Sequence, residues 1–185
     1  MNQPKPWTEI GRERLQDCTV FDVSRQWTRS PRDGSTKPFY RIDSADWVNV
    51  VPLTAQGDIV MVHQYRHGLG AVTLEIPGGM VDPGEEPAMA AARELREETG
   101  YRAGSVRLIG ALNPNPAVFG NRVYTYLAEG CVPEGAIQNG PTEETVVECV
   151  PEADLPARTR AGEVDHALVV AAFHWWTLDR MESGR

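Results

Sequence analysis

Short apolar runs separated by polar turn residues recur along most of this chain. Residues 47–53 (WVNVVPL) and 58–65 (DIVMVHQY) are rich in valine and isoleucine, and the turn-forming residues 54–57 (TAQG) separate them. Because β-branched residues between turn signals are typical of strands, both runs predict core strands. Similar runs predict further strands over residues 106–112, 122–127 and 145–150.

Two other segments have helical spacing. Apolar residues recur at intervals of three and four at Ala88, Ala91, Ala92 and Leu95. Pro87 precedes this stripe and Gly100 follows it, and proline at the first position and glycine after the last are typical helix ends. The pattern predicts a helix over 87–99, and DHALVVAAFHWW predicts a closing helix over 165–176.

Residues 1–45 are expected to form a unit of their own. Residues 20–23 and 37–42 have strand patterns, and the turn sequence SPRDG lies between them at 30–34. This predicts a β-hairpin extension over 1–45, followed by the main domain over 46–185. Strands around one central and one terminal helix fit an α/β sandwich.

The predicted helix 87–99 carries three glutamates on one face. Glu94, Glu97 and Glu98 are three and four residues apart, so their carboxylates crowd together. Close carboxylates repel each other unless a cation lies between them, and hard oxygen ligands favour Mg²⁺ or Mn²⁺ over zinc. Arg93 lies one turn before Glu97 and can hold that carboxylate in a fixed orientation.

Composition excludes some functions. A net charge of −8 and a pI near 5.0 argue against a nucleic-acid-binding surface. No apolar stretch reaches membrane length, so no membrane partner is expected. The three cysteines form no CxxC pair, and the N-terminus has no signal-peptide pattern, so a cytoplasmic location is expected.

Residues 79–101 (GMVDPGEEPAMAAARELREETGY) resemble the Nudix box, the signature of hydrolases acting on nucleoside diphosphates linked to another group. The resemblance rests on the offsets between Gly79, Glu85, Arg93, Glu94, Glu97, Glu98 and Gly100. It implies the Nudix α/β/α sandwich with a mixed sheet, in which a metal-activated water cleaves a pyrophosphate.

The same resemblance implies roles for individual residues. Glu94 and Glu98 would be the principal metal ligands, and the Gly78 carbonyl would join them. Glu97 would be a ligand or the group that orients or deprotonates the water, so Glu97, Glu98 and Arg93 are the expected catalytic residues. A loop acid can also serve as the base in this family, which leaves three alternatives to Glu97: Glu143, Glu144 and Glu163.

Flanking residues resemble the branch that hydrolyses ADP-ribose and nucleoside diphosphate sugars to a nucleoside monophosphate and a sugar phosphate. The similarity lies in four features: Gln64-Tyr65-Arg66, residues 74–79 (LEIPGG), the hairpin extension and Pro116. Residues 74–79 read as a strand entering a glycine turn. In that branch the extension joins two subunits, which implies a homodimer. Substrate contacts are expected from Arg66, Glu75, Arg41 and Trp47.

The loop 113–121 (NPNPAVFGN) contains no acid, whereas ADP-ribose enzymes commonly carry one after the box. ADP-ribose and nucleotide sugars are therefore not separated as substrates. Two alternatives stay open: hydrolysis of nucleoside triphosphates or dinucleoside polyphosphates, and a non-catalytic Nudix-like domain that senses nucleotides.

Overall fold

The computed structural model describes residues 3–184 and divides them into two compact units. The first unit contains the chain up to Ala45 together with Asn113–Arg122. The second contains Asp46–Leu112 and the chain from Val123 onward.

The first unit is built on a three-stranded antiparallel sheet in the order β1 (Thr8–Asp17), β2 (Asp22–Arg29), β3 (Thr36–Asp43). Strands β2 and β3 occupy the segment predicted as a hairpin. The sequence prediction missed β1, because nine of its ten residues are exposed and its charged residues interrupt any apolar alternation.

The second unit contains an eight-stranded sheet. Its strands are β4 (Trp47–Thr54), β5 (Asp58–Arg66), β6 (Ala71–Glu75), β7 (Gly78–Met80), β8 (Tyr101–Arg102), β9 (Ser105–Leu112), β10 (Val123–Pro133) and β11 (Thr145–Pro151). Strands β4 and β10 pair in parallel, whereas the other pairs are antiparallel. The expected mixed sheet is therefore confirmed.

The helices of this unit are α1 (Pro87–Thr99), α2 (Leu155–Ala161) and α3 (Ala167–Ser183), with a 3₁₀ turn at Glu152–Asp154. Helix α1 has the predicted bounds and ends at Gly100 in a left-handed conformation with φ 71°. Helix α3 starts two residues later than predicted and continues to Ser183, because its polar last turns carry little apolar signal. Helix α2 was missed, since its seven residues bury only Leu155.

Apolar side chains on the two faces of the sheet form separate cores. Val50 and Tyr126 pack with Ala90, Ala91 and Leu95 of α1. Their strand neighbours Val51 and Leu127 belong to a second core, with Val169, Ala172 and Trp176 of α3. Since successive strand residues point to opposite faces, α1 and α3 cover opposite faces, and the α/β/α sandwich is confirmed.

The apolar stripe of α1 is rotated from its predicted position. Ala88 is exposed, whereas Ala90 and Ala91 are fully buried. Glu94 and Glu98 are also buried, so the acidic side of α1 lies beside its apolar stripe and not opposite to it.

Within residues 3–184, no helix is both long and apolar enough to cross a membrane.

Candidate active site

A cleft of about 600 Å³ opens in the second unit, where β4, β6, β7, α1 and the start of α3 meet. Its lining includes seven of the nine residues expected to act in catalysis, metal binding or substrate contact: Trp47, Arg66, Glu75, Gly78, Arg93, Glu94 and Glu97. Glu98 lies directly beside this set, because its carboxylate accepts a hydrogen bond from the Gly78 N–H.

Two adjacent glycines bring β7 against the acidic side of α1. A Cβ atom on Gly79 would lie 2.4 Å from Glu94 Oε1, and one on Gly78 would lie 2.4 Å from the Val48 carbonyl oxygen. The Gly78 N–H donates to Glu98 Oε2 at 2.9 Å. A larger residue at either position would have to displace a carboxylate or a neighbouring strand.

Arg93 holds the acids of this wall together. Its Nε and Nη2 donate to the two carboxylate oxygens of Glu85, each at 3.0 Å, and Nη2 also donates to the Met80 carbonyl. Its Nη1 donates to Glu94 at 2.8 Å and to Glu97 at 3.0 Å. The structure thus contains the contact expected with Glu97, and adds two carboxylates that the spacing had not connected to Arg93.

The pKa values of the two buried carboxyl groups of α1 are raised. Burial raises the pKa of Glu98 to about 8; the Gly78 N–H lowers it, and the charges of Glu94 and Glu143 raise it further. Burial likewise raises the pKa of Glu94, against the opposing effect of Arg93. An added cation would oppose both shifts, because it favours the charged form of a carboxyl group.

The metal ligands that this wall can offer are all oxygen atoms, and oxygen ligands suit a hard divalent cation. Within residues 3–184, however, no three His, Cys, Asp or Glu side chains converge as a complete metal cage. Metal binding by Glu94, Glu97, Glu98 and the Gly78 carbonyl therefore stays a prediction that the donor chemistry fits.

Arg66 and Glu75 form a two-pronged ion pair in the same cleft. Arg66 Nε and Nη2 donate to the two oxygens of Glu75 at 2.8 and 2.7 Å, and Thr73 Oγ1 donates to Glu75 at 2.6 Å. Burial alone would raise the pKa of Glu75, but these hydrogen bonds outweigh it and lower the pKa. Glu75 is only 2% exposed, so it anchors Arg66 on the cleft wall.

Comparison with known proteins identifies the fold and the family. Residues 44–173 match the NUDIX domain. The chain belongs to the Nudix family.

Two relatives of this Nudix protein are named ADP-ribose pyrophosphatase. The one from Mycobacterium tuberculosis is 31% identical over 164 residues, which cover 88% of this chain and 79% of the relative. The one from Bacillus subtilis is 43% identical over 120 residues, which cover 65% of this chain and 64% of the relative. The crystal structure of an ADP compounds hydrolase matches all of both chains with a TM-score of 0.85 at 22% identity, which shows the shared Nudix fold.

The end of the Nudix box supports a loop that returns to the cleft. The N–H groups of Glu134 and Gly135 donate to the Gly100 carbonyl, and the Gln138 N–H donates to the Glu97 carbonyl at 2.7 Å. Thr145 Oγ1 donates to the Glu98 carbonyl at 2.7 Å. These bonds satisfy carbonyls that the end of a helix leaves without intrahelical partners, and they fix residues 134–145 to α1.

This anchored loop separates the three candidate loop acids. Glu143 lines the cleft and its charge acts on both Glu94 and Glu98. Glu144 is not among the cleft residues and lines only a neighbouring hollow, which it shares with Glu143, Tyr65 and His67. Glu163 lies 3.7 Å from Arg158, away from the lining residues of the Nudix cleft.

Arg41 lies in the first unit. It pairs with Asp43 at 2.7 Å, and its guanidinium packs on Gly120, where a Cβ atom would lie 1.8 Å from Nη2. A contact between Arg41 and substrate remains a prediction from the sequence.

Asn49 and His166 are among the polar residues of the cleft that the sequence did not predict. Asn49 is 7% exposed, and its Nδ2 donates to the Leu168 carbonyl at 3.1 Å. His166 occupies the N-cap position of α3. A usable signal existed for Asn49, which interrupts the otherwise apolar run WVNVVPL; His166 has no comparable signal.

Proposed function

We propose that this Nudix protein hydrolyses the diphosphate of ADP-ribose or of a nucleoside diphosphate sugar to a nucleoside monophosphate and a sugar phosphate. The observation that carries the proposal is the buried pair Glu94 and Glu98, held against Gly78-Gly79 in a cleft of about 600 Å³. The names of the two ADP-ribose pyrophosphatase relatives support this substrate class.

The residues that would hold Mg²⁺ or Mn²⁺ are Glu94, Glu97, Glu98 and the Gly78 carbonyl. When bound, such a cation neutralises diphosphate charge and lowers the pKa of a water molecule. Arg93 keeps the Glu94 and Glu97 carboxylates in place through its two Nη1 hydrogen bonds. These carboxylates are thereby held in position before the substrate binds, and they do not have to move during the reaction.

In the reaction, the oxygen of water forms a bond to one phosphorus, and the bond from that phosphorus to the bridging oxygen breaks. The leaving phosphate keeps the bridging oxygen, and a base takes a proton from the water. We assign the base to Glu143, because it lines the cleft and is not held by Arg93, whereas Glu97 already accepts from Arg93.

Arg66 and Trp47 are proposed as substrate contacts. Nε and Nη2 of Arg66 donate to Glu75, so Nη1 is the nitrogen left to donate to an anionic phosphate. The Arg66 side chain is 41% exposed, which makes it accessible to a substrate. Trp47 and Asn49 point to the same face of β4, since they are two residues apart. An aromatic ring at that position can stack on a base or on a sugar.

A substrate panel tests this proposal. ADP-ribose, GDP-mannose, UDP-glucose, NADH, dGTP and a diadenosine polyphosphate are compared with Mg²⁺, with Mn²⁺ and with a chelator, and products are separated by chromatography. We expect the highest kcat/KM for ADP-ribose or a nucleotide sugar and no activity with the chelator. Preferred turnover of dGTP or of the diadenosine compound would overturn the substrate class, and no turnover of any nucleotide would favour a sensor.

We also propose a homodimer formed through the first unit, in a cytoplasmic protein. The first unit exposes large apolar side chains, including Trp7 and Ile10 (each 46% exposed), Phe39 (46%) and Tyr40 (59%). Trp7 and Phe39 pack against each other with ring centroids 5.5 Å apart, and an exposed apolar cluster of this kind marks an interaction surface. Phe39→Arg combined with Ile10→Arg is expected to give monomers by light scattering, whereas Arg32→Glu, in the exposed turn between β2 and β3, should leave the dimer intact. A wild-type monomer would remove the proposal.

A further inference from the structure

Two side-chain polar atoms in the cleft wall lack a hydrogen-bond partner. Within residues 3–184, Asn49 Oδ1 and His166 Nδ1 are the buried unpartnered side-chain atoms that belong to residues lining the cleft. A buried polar atom without a partner destabilises the protein, because it has lost its hydrogen bonds to water and gained none in return. Such atoms in a binding cleft are therefore candidates for contact with a ligand.

The orientation of the Asn49 amide follows from its neighbour. Nδ2 donates to the carbonyl oxygen of Leu168 at 3.1 Å, and the reversed amide would place two acceptor oxygens together. Oδ1 is thus the atom left unpaired, and it can only accept a hydrogen bond. Leu168 belongs to the first turn of α3 and follows His166 by two residues, so both unpaired atoms lie at one corner of the cleft.

His166 Nδ1 has no nearby hydrogen-bond partner within the protein. Oε2 of Glu75 is 3.9 Å away, beyond hydrogen-bond distance, and both oxygens of Glu75 already accept from Arg66. Nδ1 of a neutral ring accepts or donates according to which ring nitrogen carries the proton. The corner therefore offers one acceptor, Asn49 Oδ1, and one ring nitrogen that can take either role.

A ligand group that pairs with Asn49 Oδ1 must donate a hydrogen bond. Phosphate oxygens that are ionised at neutral pH cannot do so, so the diphosphate is not the partner of this atom. A hydroxyl group donates and also accepts, so it can pair with Asn49 Oδ1 and with either tautomer of His166. An exocyclic amine of a base donates but does not accept, and it fits the corner less well.

We propose that Asn49 and His166 bind sugar hydroxyls of the substrate and so select for a hydroxylated sugar. The inference rests on the proposed function, because it assigns one part of that cleft to the sugar of a nucleoside diphosphate compound. It adds two specificity-determining residues outside the Nudix box.

Equilibrium binding measured by calorimetry tests the proposal separately from hydrolysis. The ligands are ADP-ribose, its analogues lacking one hydroxyl on either ribose, and the inosine analogue, which lacks the base amine. The proteins are the full chain, Asn49→Leu, His166→Phe and the control His174→Phe, which changes an exposed histidine of α3 outside the cleft lining. Thermal melting verifies that each variant is folded.

We expect wild-type protein to bind at least one deoxy analogue about tenfold more weakly than ADP-ribose. In Asn49→Leu or His166→Phe that ratio should fall to about twofold or less, and in His174→Phe it should stay at the wild-type value. His166→Phe keeps the test valid if Asn49→Leu fails to fold, because the His166 ring makes no hydrogen bond that would be lost.

Each other outcome has a distinct meaning. If the variants remove discrimination against the inosine analogue and leave the deoxy ratios unchanged, the corner binds the base and the sugar assignment is wrong. Unchanged ratios throughout would overturn both residue assignments. Hydrolysis of ADP-ribose without the expected coupling would reject this inference alone, whereas coupled binding without hydrolysis would reject the proposed function alone.

Discussion

The first unit and the cleft use the same charged residue types under opposite conditions. In the three-stranded sheet, Arg14 pairs with Asp22 and Arg25 with Glu13 between largely exposed side chains. In the cleft, Glu94 and Glu98 are buried. Exposed pairs contribute about 0–1 kcal/mol each, whereas a buried charge is costly unless it is compensated. The effect of a substitution should therefore follow burial, and not the number of ion pairs.

The largest expected effect comes from Glu98→Gln. Glutamine keeps an oxygen that can accept from the Gly78 N–H but removes the charge proposed to hold the metal. We expect kcat to fall about 1,000-fold with KM changed about threefold or less, because metal ligands act mainly on charge that develops in the transition state. Steady-state kinetics with ADP-ribose measures this, and Glu13→Gln in the first unit is the matched control. A near-normal kcat would reject Glu98 as a ligand.

A smaller and more selective effect is expected from alanine at the two glycines. In Gly79→Ala the new Cβ meets the end of the Glu94 side chain, which can move, whereas in Gly78→Ala it meets the backbone oxygen of Val48. Gly79→Ala should keep a wild-type melting temperature and lose about 100-fold in kcat, because small misplacements of catalytic groups are costly. Gly78→Ala should lower the melting temperature. Equal destabilisation of both variants would contradict this distinction.

Glu75→Gln is expected to affect stability more than catalysis. We expect a loss of about 2 kcal/mol in the free energy of unfolding at pH 7, less than for a fully buried pair because Arg66 is partly exposed. The pKa of Glu75 is lowered in the folded protein from its usual value of 4.5. Its stabilisation is thus present above pH 4.5 and is lost as the pH falls through the folded pKa.

Urea unfolding of wild type and Glu75→Gln between pH 3 and 7 measures this difference. The gap between the two proteins should narrow on the acid side of pH 4.5. A gap that is constant across this range would show that charge on Glu75 does not stabilise the fold.

The smallest effect is expected from Arg14→Ala in the first unit. Arg14 is 57% exposed and pairs with Asp22 and Asp17, so the free energy of unfolding should stay close to the wild-type value. High salt should reduce this difference further. If Arg14→Ala lowered the free energy of unfolding as much as Glu75→Gln does, the proposed difference between the two regions would be wrong.

The fold could be predicted wherever burial imposes a period on the sequence. Helix α1 and the central strands β4 and β5 each bury one or both faces, and their apolar spacing was readable. Strand β1 buries almost nothing, so backbone pairing alone defines it. Helix α2 is short and polar. The strand predicted to enter a glycine turn over 74–79 is the end of β6, and the two glycines begin a separate strand, β7, after Pro77, which cannot donate to a strand ladder.

The candidate site could be predicted where its residues lie close in the chain. Glu94, Glu97 and Glu98 share one side of α1 because of helical spacing alone. The pairing of Arg66 with Glu75, and the unpaired oxygen of Asn49, depend on strands and helices that only the fold brings together. The residues next to Arg66, Glu75 and Asn49 in the sequence do not indicate these contacts.

The anchoring of residues 134–145 to the end of α1 bears on how related proteins can diverge. Its attachments at Gly100, Glu97 and Glu98 leave only residues 139–144 between the last two. An insertion or deletion in that short span would change the reach of Glu143 while both attachments and the acidic helix stay as they are. Related proteins can therefore move the proposed base by changing the length of this span alone, while the sequence of the Nudix box stays the same.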